Sequence, residues 1–206
     1  MTKSLIIIGG KAGVKIAHAY TEDQYDKFYG YNNFLNDLTS LKIKKLLSLE
    51  ELAEIGSDVD TEFFVATGDN KIREELSMSF STLLGKPPVN IVHKTAEVIG
   101  NFPVGFGTLI CANATLNLCS EIGAGCIINT NAVIEHDCKL DDFAQVSPGA
   151  ILTGYCGMGQ RSFLGAGSVL NPGIQVGSDA IIGSLSVVTR DVVKSKRVKG
   201  IPAREY

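Results

Sequence analysis

Two architectures share this chain. Residues 1–88 predict a small α/β domain on a parallel sheet, and residues 89–206 predict a parallel β-helix. Three observations carry that reading. Every sixth residue from Val92 to Val188 is Ile, Leu, Val or Met, 17 positions with no slip of phase. The residue four further on is small except at Phe102, Ile174 and Val192. Residues 1–85 show no such period and alternate short apolar runs with helical stretches. A helix repeats every 3.6 residues and cannot produce a strict period of six. Such a period means a solenoid, in which one large and one small side chain per hexapeptide face a common axis and the chain turns between them.

In the first region, Leu5-Ile6-Ile7-Ile8 reads as a strand, Gly9-Gly10 as a turn and Ala12 to Tyr20 as a helix. Phe28 to Leu35 reads as a second strand ending at Asn36-Asp37. Ser48-Leu49-Glu50-Glu51 has the spacing of a capping box and opens a helix to Ile55. Glu62 to Thr67 is a third strand stopped by Gly68, and Asp69-Asn70 caps a helix to about Leu84. Gly85-Lys86-Pro87-Pro88 is a linker by composition. Strands alternating with helices build a parallel sheet, and ligands of such sheets bind at the carboxyl ends of the strands. Those ends are Gly9–Gly13, Asn36-Asp37 and Gly68–Asn70. A glycine turn feeding a helix N-terminus suits a phosphate. Gly9, Gly10 and Gly13 do not complete G-x-G-x-x-G, and about 85 residues are too few for a full dinucleotide fold, which argues against NAD.

In the second region, Gly123, Gly165, Gly177 and Gly183 each follow an aliphatic position and are expected to supply strained turn geometry. Cys126, Cys138 and Cys156 fall in the small-residue series and read as core hydrophobes rather than nucleophiles or metal ligands. Cys111 and Cys119 carry no assignment. A net charge of -3 over 206 residues argues against nucleic acid as a partner. No apolar run approaches the roughly 18 residues that span a bilayer, and the N-terminal run is too short for a signal peptide. Five cysteines without tight spacing do not make a disulfide framework. Together these predict a reduced, cytoplasmic protein.

Of the three histidines, His18 lies inside the first predicted helix and His93 at the entry to the first coil; both read as structural. His136 differs. In Ile134-Glu135-His136-Asp137-Cys138 it falls between an inward aliphatic and an inward small residue, on a turn, with a carboxylate on either side. A carboxylate favours the imidazolium that forms on proton uptake, so this histidine is the candidate general base.

The hexapeptide period resembles that of the left-handed β-helix acyltransferases, whose coils take three hexapeptides each and which form trimers with acetyl-CoA between subunits. The strip Ile128-Asn129-Thr130 through Val133-Ile134-Glu135-His136-Asp137 is similar to the active-site strip of nucleotide-aminosugar N-acetyltransferases, grouped with sialic acid O-acetyltransferases (the NeuD/PglD-like group). The likeness extends over Leu5–Gly9, Phe34–Asp37, Phe63–Asn70, Ile72-Arg73 and the closing Gly200-Ile201-Pro202-Ala203-Arg204. It implies His136 as base, Asp137 as the acid that raises its basicity, and Asn129 near the substrate amine. It further implies nucleotide contacts at Lys11, Ala12, Gly13, Asn36, Asp37 and Gly68, and acetyl-CoA contacts at Gln145, Ala166 and Ser184, the last two through the backbone. The family turn usually reads G-x-x-G-H; here that His is missing and Lys11 is added, whose ammonium can itself meet a phosphate. Some relatives carry His where Gln145 stands, and an amide can still hydrogen-bond the thioester or pantetheine.

The resemblance therefore implies direct transfer of acetyl from acetyl-CoA, with no metal, to the 4-amino group of a nucleotide-linked amino sugar. UDP is the first expectation for the nucleotide, with GDP and dTDP as alternatives, and the enzyme is expected to be a homotrimer with active sites between subunits. From Arg190 to Tyr206 six basic residues face two acidic ones, a net of +4 against -7 for the remainder, which fits the phosphates of CoA. Three rivals stand beside this: a sugar O-acetyltransferase of the sialic acid type; a zinc lyase resembling the γ-carbonic anhydrases, which needs three His where this helix offers two; and an idle scaffold, which the His136-Asp137 pair argues against.

Overall fold

A computed structural model describes residues 2–31 and 41–206. It divides into two compact units, Met1–Ile91 and Val92–Tyr206. In the first unit β1 (Ser4–Gly9), α1 (Lys11–Thr21), β2 (Lys27–Tyr31), β3 (Ile43–Lys45), α2 (Leu49–Gly56), β4 (Thr61–Ala66) and α3 (Asn70–Leu84) follow one another. The four strands are parallel in the order β3-β2-β1-β4. β1 is flanked on both sides and every residue of it is buried, which is why its sequence is a continuous apolar run rather than an alternation. The chain order reverses between β1 and β4, so the switch point of the sheet lies at Gly9 and Ala66.

The helix starts follow from their caps. Ser48 Oγ accepts from Glu51 N–H at 3.1 Å, and Glu51 Oε2 reaches back to Leu47 N–H at 2.9 Å, closing the capping box one residue earlier than the usual pairing. The Leu47 N–H, and then Lys44, hold the Glu51 carboxyl below its ordinary value. Asp69 Oδ1 caps α3 through Ile72 N–H at 2.9 Å, and Gly85 closes that helix in the left-handed region. Gly10 at the start of α1 has no side chain to offer, so the first N–H groups of that helix carry no side-chain cap. His18, which its place in the helix left open to surface or core, is buried and packs its ring 4.4 Å from Phe28. The strand β3 was not foreseen, because one buried Ile between Lys residues over three positions gives no pattern. The second strand runs over Lys27–Tyr31; the remainder expected to Leu35, with Asn36 and Asp37, lies outside the described residues.

The second unit is a left-handed parallel β-helix whose strands, as far as Val188, are two residues long. Its first face stacks Leu109–Ile110, Ile127–Ile128, Gln145–Val146, Phe163–Leu164 and Ile181–Ile182. The second stacks Thr115–Leu116, Val133–Ile134, Ile151–Leu152, Val169–Leu170 and Val187–Val188. The third stacks Glu121–Ile122, Lys139–Leu140, Gly157–Met158 and Gln175–Val176. Partners are 18 residues apart, three hexapeptides to a coil. The aliphatic member of each pair points inward; Ile128, Ile134, Val146, Leu152, Leu164 and Leu170 are wholly buried. Val92 and Val98, with no coil before them, stay exposed.

The small series does more than leave room. Thr108, Ser120 and Ser168 hydroxyls and the Cys126, Cys138 and Cys156 thiols each donate to a corner carbonyl 15 residues on, at 2.8–3.3 Å. The three cysteines are therefore core donors as well as core fillers, each giving its S–H to a backbone carbonyl of the next coil.

The four glycines expected to take strained turn geometry do not. Gly123, Gly165, Gly177 and Gly183 are fixed by close approach: a Cβ there would sit 2.5–2.8 Å from Asp142 N, Ser184 N, Lys194 N and Lys199 Cβ respectively. The left-handed residue comes two positions later at the corners, as Gly at 125, 149, 167 and 173, and at others as residues of every size, among them Asn131, Asp137, Phe143, Tyr155, Arg161 and Leu185. Val192 broke the small series because the last coil is shorter: Val176 bridges Val192 and Ile182 pairs with Val198, so Val192 joins the aliphatic ladder. Arg204–Glu205 then folds back antiparallel on Arg197–Lys199 and covers the edge of the stack.

Four cysteines are buried and only Cys119 is exposed. In the native protein Cys119 alone should react promptly with a thiol-specific chromogenic disulfide, and the other four only on unfolding. Prompt reaction at two or more thiols would contradict the inward placement of the small series.

Candidate active site

The corner at 135–138 carries chemistry because its outward residues are free of the packing rule. His136 and Asp137 are both partly exposed, and His136 Nδ1 lies 2.8 Å from Asp137 Oδ2. An ionised carboxylate only accepts, so Nδ1 carries the proton and Nε2 presents a lone pair. The other flanking acid is engaged elsewhere: Glu135 Oε2 accepts from Asn117 Nδ2 at 3.1 Å.

One coil on, Gly154 lies against the ring. A Cβ there would come within 2.7 Å of His136 Cε1 and 2.8 Å of Nε2, so glycine is what leaves room for the imidazole in this orientation. Tyr155 meets the ring edge-on, with centroids 5.1 Å apart and planes at 89°. Below the corner, Cys138 is buried; a hydrogen bond with Cys156, then burial, pushes its thiol up from the ordinary value and keeps it protonated.

The other expected residues fall into two groups. Asn129, Ala166 and Ser184 lie on the corner between the first and second faces, and Gln145 on the first-face strand leading into it, whereas His136 and Asp137 lie on the corner between the second and third. Ala166 and Ser184 stack in register; Leu185 N–H donates to Ala166 O at 2.9 Å. Asn129 Oδ1 accepts from Thr130 N–H at 2.8 Å. Within one chain these groups are not brought together: the whole second face separates them. Gln145 is 9% exposed, and its Oε1 finds no hydrogen-bond partner among the described residues. A buried acceptor left so costs roughly 1–3 kcal/mol, which a ligand N–H would recover.

In the first unit Lys11, Ala12 and Gly13 open α1 and Gly68 follows β4, so both flank the switch point. Gly9 and Gly13 have a packing reason of their own: a Cβ at either would sit 2.2 and 2.1 Å from Ala66 O. Gly68 has nothing within 4 Å of such an atom, so sterics do not demand it. The loop after β4 is held by Arg73, a buried guanidinium that donates to Thr67 O at 3.1 Å and Asn70 Oδ1 at 2.9 Å. His93 makes a local turn contact, Nδ1 to Thr95 Oγ1 at 2.9 Å. Among the described residues no group of three His, Cys, Asp or Glu is placed to hold a metal, and no helix is long and apolar enough to cross a membrane.

No protein-family model matches the chain. Solved structures do. The acetyltransferase domain of PglB from Neisseria gonorrhoeae FA1090, in complex with acetyl coenzyme A, is 26% identical over all of both chains with a TM-score of 0.90. PerB from Caulobacter crescentus, in complex with CoA and GDP-perosamine, is 32% identical over 98% of this chain and 97% of that one, with a TM-score of 0.88. This chain belongs to the acetyl-CoA-dependent sugar N-acetyltransferases of the hexapeptide-repeat, left-handed β-helix superfamily. A histidine-to-alanine variant of GDP-perosamine N-acetyl transferase from the same organism, in complex with CoA and GDP-perosamine, is 29% identical to this acetyltransferase over 98% of its chain and 96% of the other, with a TM-score of 0.90.

Sequence reading missed Gly154 and Tyr155. The signal was present: a coil of 18 residues sets position 154 over 136 and 155 over 137. Gly154→Ala should leave the melting temperature unchanged or slightly raised, since its backbone suits alanine and Gly→Ala there contributes about 0.4–1 kcal/mol through the unfolded chain. Of the three histidine Cε1–H resonances it should displace that of His136 alone. An unmoved His136 signal would contradict the close approach.

Proposed function

We propose that the acetyltransferase moves the acetyl group of acetyl-CoA to the 4-amino group of a nucleotide-linked amino sugar, with His136 as general base. The observation that carries this is the exposed corner pair: Asp137 holds Nδ1 at 2.8 Å, and Nε2 is open only because residue 154 has no side chain. The amine nitrogen attacks the thioester carbon as Nε2 takes its proton, and the new C–N bond forms. Backbone N–H groups of a glycine-containing turn meet the oxyanion. The C–S bond then breaks, CoA leaves as thiolate, and the imidazolium returns its proton to solvent or sulfur. Asp137 lowers the cost of the imidazolium. No acyl-enzyme forms.

Several features support the rest of the reading. Asn129 is proposed near the amine. The orphaned Gln145 Oε1 suits an amide of pantetheine, and the stacked backbone at Ala166 and Ser184 suits the remainder of that arm. The uncapped start of α1 at Lys11, Ala12 and Gly13, with Gly68 opposite and Asn36 and Asp37 after the second strand, is proposed for the nucleotide. UDP came first on sequence; the GDP-perosamine held by three solved neighbours puts GDP beside it in any test. Exposed Arg190, Lys194 and Arg197 are proposed for the CoA phosphates.

A homotrimer is the proposed assembly. The two halves of the site stand on different corners, and the outward residues of the face between them are apolar or β-branched: Thr115, Val133, Ile151, Val169 and Val187. The third face shows Glu121, Lys139 and Gln175 instead. A partner seated on the apolar face would bring its own corner to His136. The cytoplasm is the proposed compartment, since five free thiols suit a reducing one.

His136→Ala should lower kcat by roughly 10²–10⁴ with acetyl-CoA binding retained. The assay follows free thiol with UDP-, GDP- and dTDP-linked 4-amino sugars. Turnover equal to wild type in that variant would remove His136 from the mechanism. Transfer to a free sugar hydroxyl, with no need of a nucleotide, would favour the O-acetyltransferase reading.

A further inference from the structure

Tyr155 holds the left-handed place at its corner, as Phe143, Arg161 and Leu185 do at theirs. Each corner takes one left-handed residue, and glycine, Asn and Asp fill many of these places at low cost. Tyr155 sits there at φ 64 with a bulky side chain that is 62% exposed and buries little against the core. A left-handed conformation costs an ordinary L-residue about 1–2 kcal/mol. Core packing does not repay that cost, because the ring points away from the aliphatic ladder.

What the ring meets is His136, edge-on at 5.1 Å. The backbone that carries it is pinned from both sides. Tyr155 N–H donates to His136 O at 3.1 Å, so the tyrosine is tied to the residue whose side chain it touches. Tyr155 O accepts from Gln175 Nε2 at 3.1 Å, and that same amide donates to Gly173 O at 3.2 Å. The Gln175 side chain reaches those carbonyls by crossing Gly157, where a Cβ would lie 2.0 Å from Gln175 Oε1. Gln175 N–H is itself held by Asp191 Oδ1 at 2.9 Å. Three coils thus fix the backbone from which this ring reaches the imidazole.

Asp137 alone does not fix that imidazole. A single bond to Nδ1 leaves the ring free to swing about its χ angles, and a half-exposed side chain pays little for doing so. Gly154 leaves room on one side, and Tyr155 limits the ring on another. We propose that Tyr155 is a positioning residue for the acetylation: with its backbone held by Gln175 and the His136 carbonyl, its ring lies edge-on to the imidazole and keeps His136 Nε2 facing the attacking amine. This rests on His136 being the base and assigns Tyr155 no bond to substrate.

The test compares Tyr155→Phe and Tyr155→Asn in the full-length enzyme, each alone and combined with His136→Ala. Asn tolerates the left-handed region, so the corner folds without the ring, and unchanged melting temperatures check this. Phenylalanine keeps the edge contact and should retain most of the wild-type kcat. Asn should lower kcat about ten- to a hundredfold, the scale of a misplaced reacting group, with KM for acetyl-CoA unchanged. It should also shift the His136 Cε1–H resonance, which Phe should leave near its wild-type place. In the His136→Ala background the Asn change should cost nothing further, because its effect passes through the imidazole.

Equal losses from Asn in both backgrounds would overturn the proposal in favour of direct substrate contact. Wild-type kcat in Tyr155→Asn, with His136→Ala inactive, would overturn it and leave His136 as the base. Full activity in His136→Ala would remove the base itself, and this inference with it.

Discussion

The coil-to-coil register is the constraint on which the second unit depends. Aliphatic side chains 18 residues apart stack along one axis, and the small residues between them donate to carbonyls of the following coil. Replacing one buried aliphatic such as Leu152 by Ala would cost about 2–5 kcal/mol. Slipping a strand by one residue would turn its inward side chain outward. Both penalties fall on inward positions. Corners and outer faces are left to vary, and there stand an imidazole, a carboxylate and an aromatic ring that no packing rule asks for.

The first unit follows a different economy. Its sheet reverses order between β1 and β4, and Gly9 and Gly13 let α1 approach the end of β4 at Ala66. These glycines are explained by packing before any ligand is considered. The same approach sets the start of α1 beside the loop after β4, which the buried Arg73 holds. Packing and anion binding make the same demand here, small residues at a helix N-terminus, so one set of glycines can serve both.

Much of this was legible in the sequence. The six-residue period announced the solenoid, and Ser48 and Asp69 announced two helix starts. The flanking inward residues Ile134 and Cys138 announced that His136 lies on an accessible corner. The remainder was hidden for physical reasons. β3 is too short and too rich in lysine to show alternation. Val192 changes role because two residues are lost from the last coil, a shift that only the pairing of Ile182 with Val198 reveals. Gly154 and Tyr155 gather at His136, and Gln175 at Tyr155, through the 18-residue coil and not through nearness in sequence. The orphaned oxygen of Gln145 depends on everything around it and leaves no trace in the residue string.

The central claim is that the imidazole corner of one chain works with the opposite corner of another. Complementation tests it most directly. Chains carrying His136→Ala are mixed, by unfolding and refolding together, with chains carrying Ser184→Trp, which fills the other corner. Each variant alone should be nearly inactive. In a mixed ring of head-to-tail interfaces, about a quarter should pair an intact imidazole corner with an intact partner corner and recover activity in that proportion. Mixed assemblies that form yet remain as inactive as either parent would contradict the account.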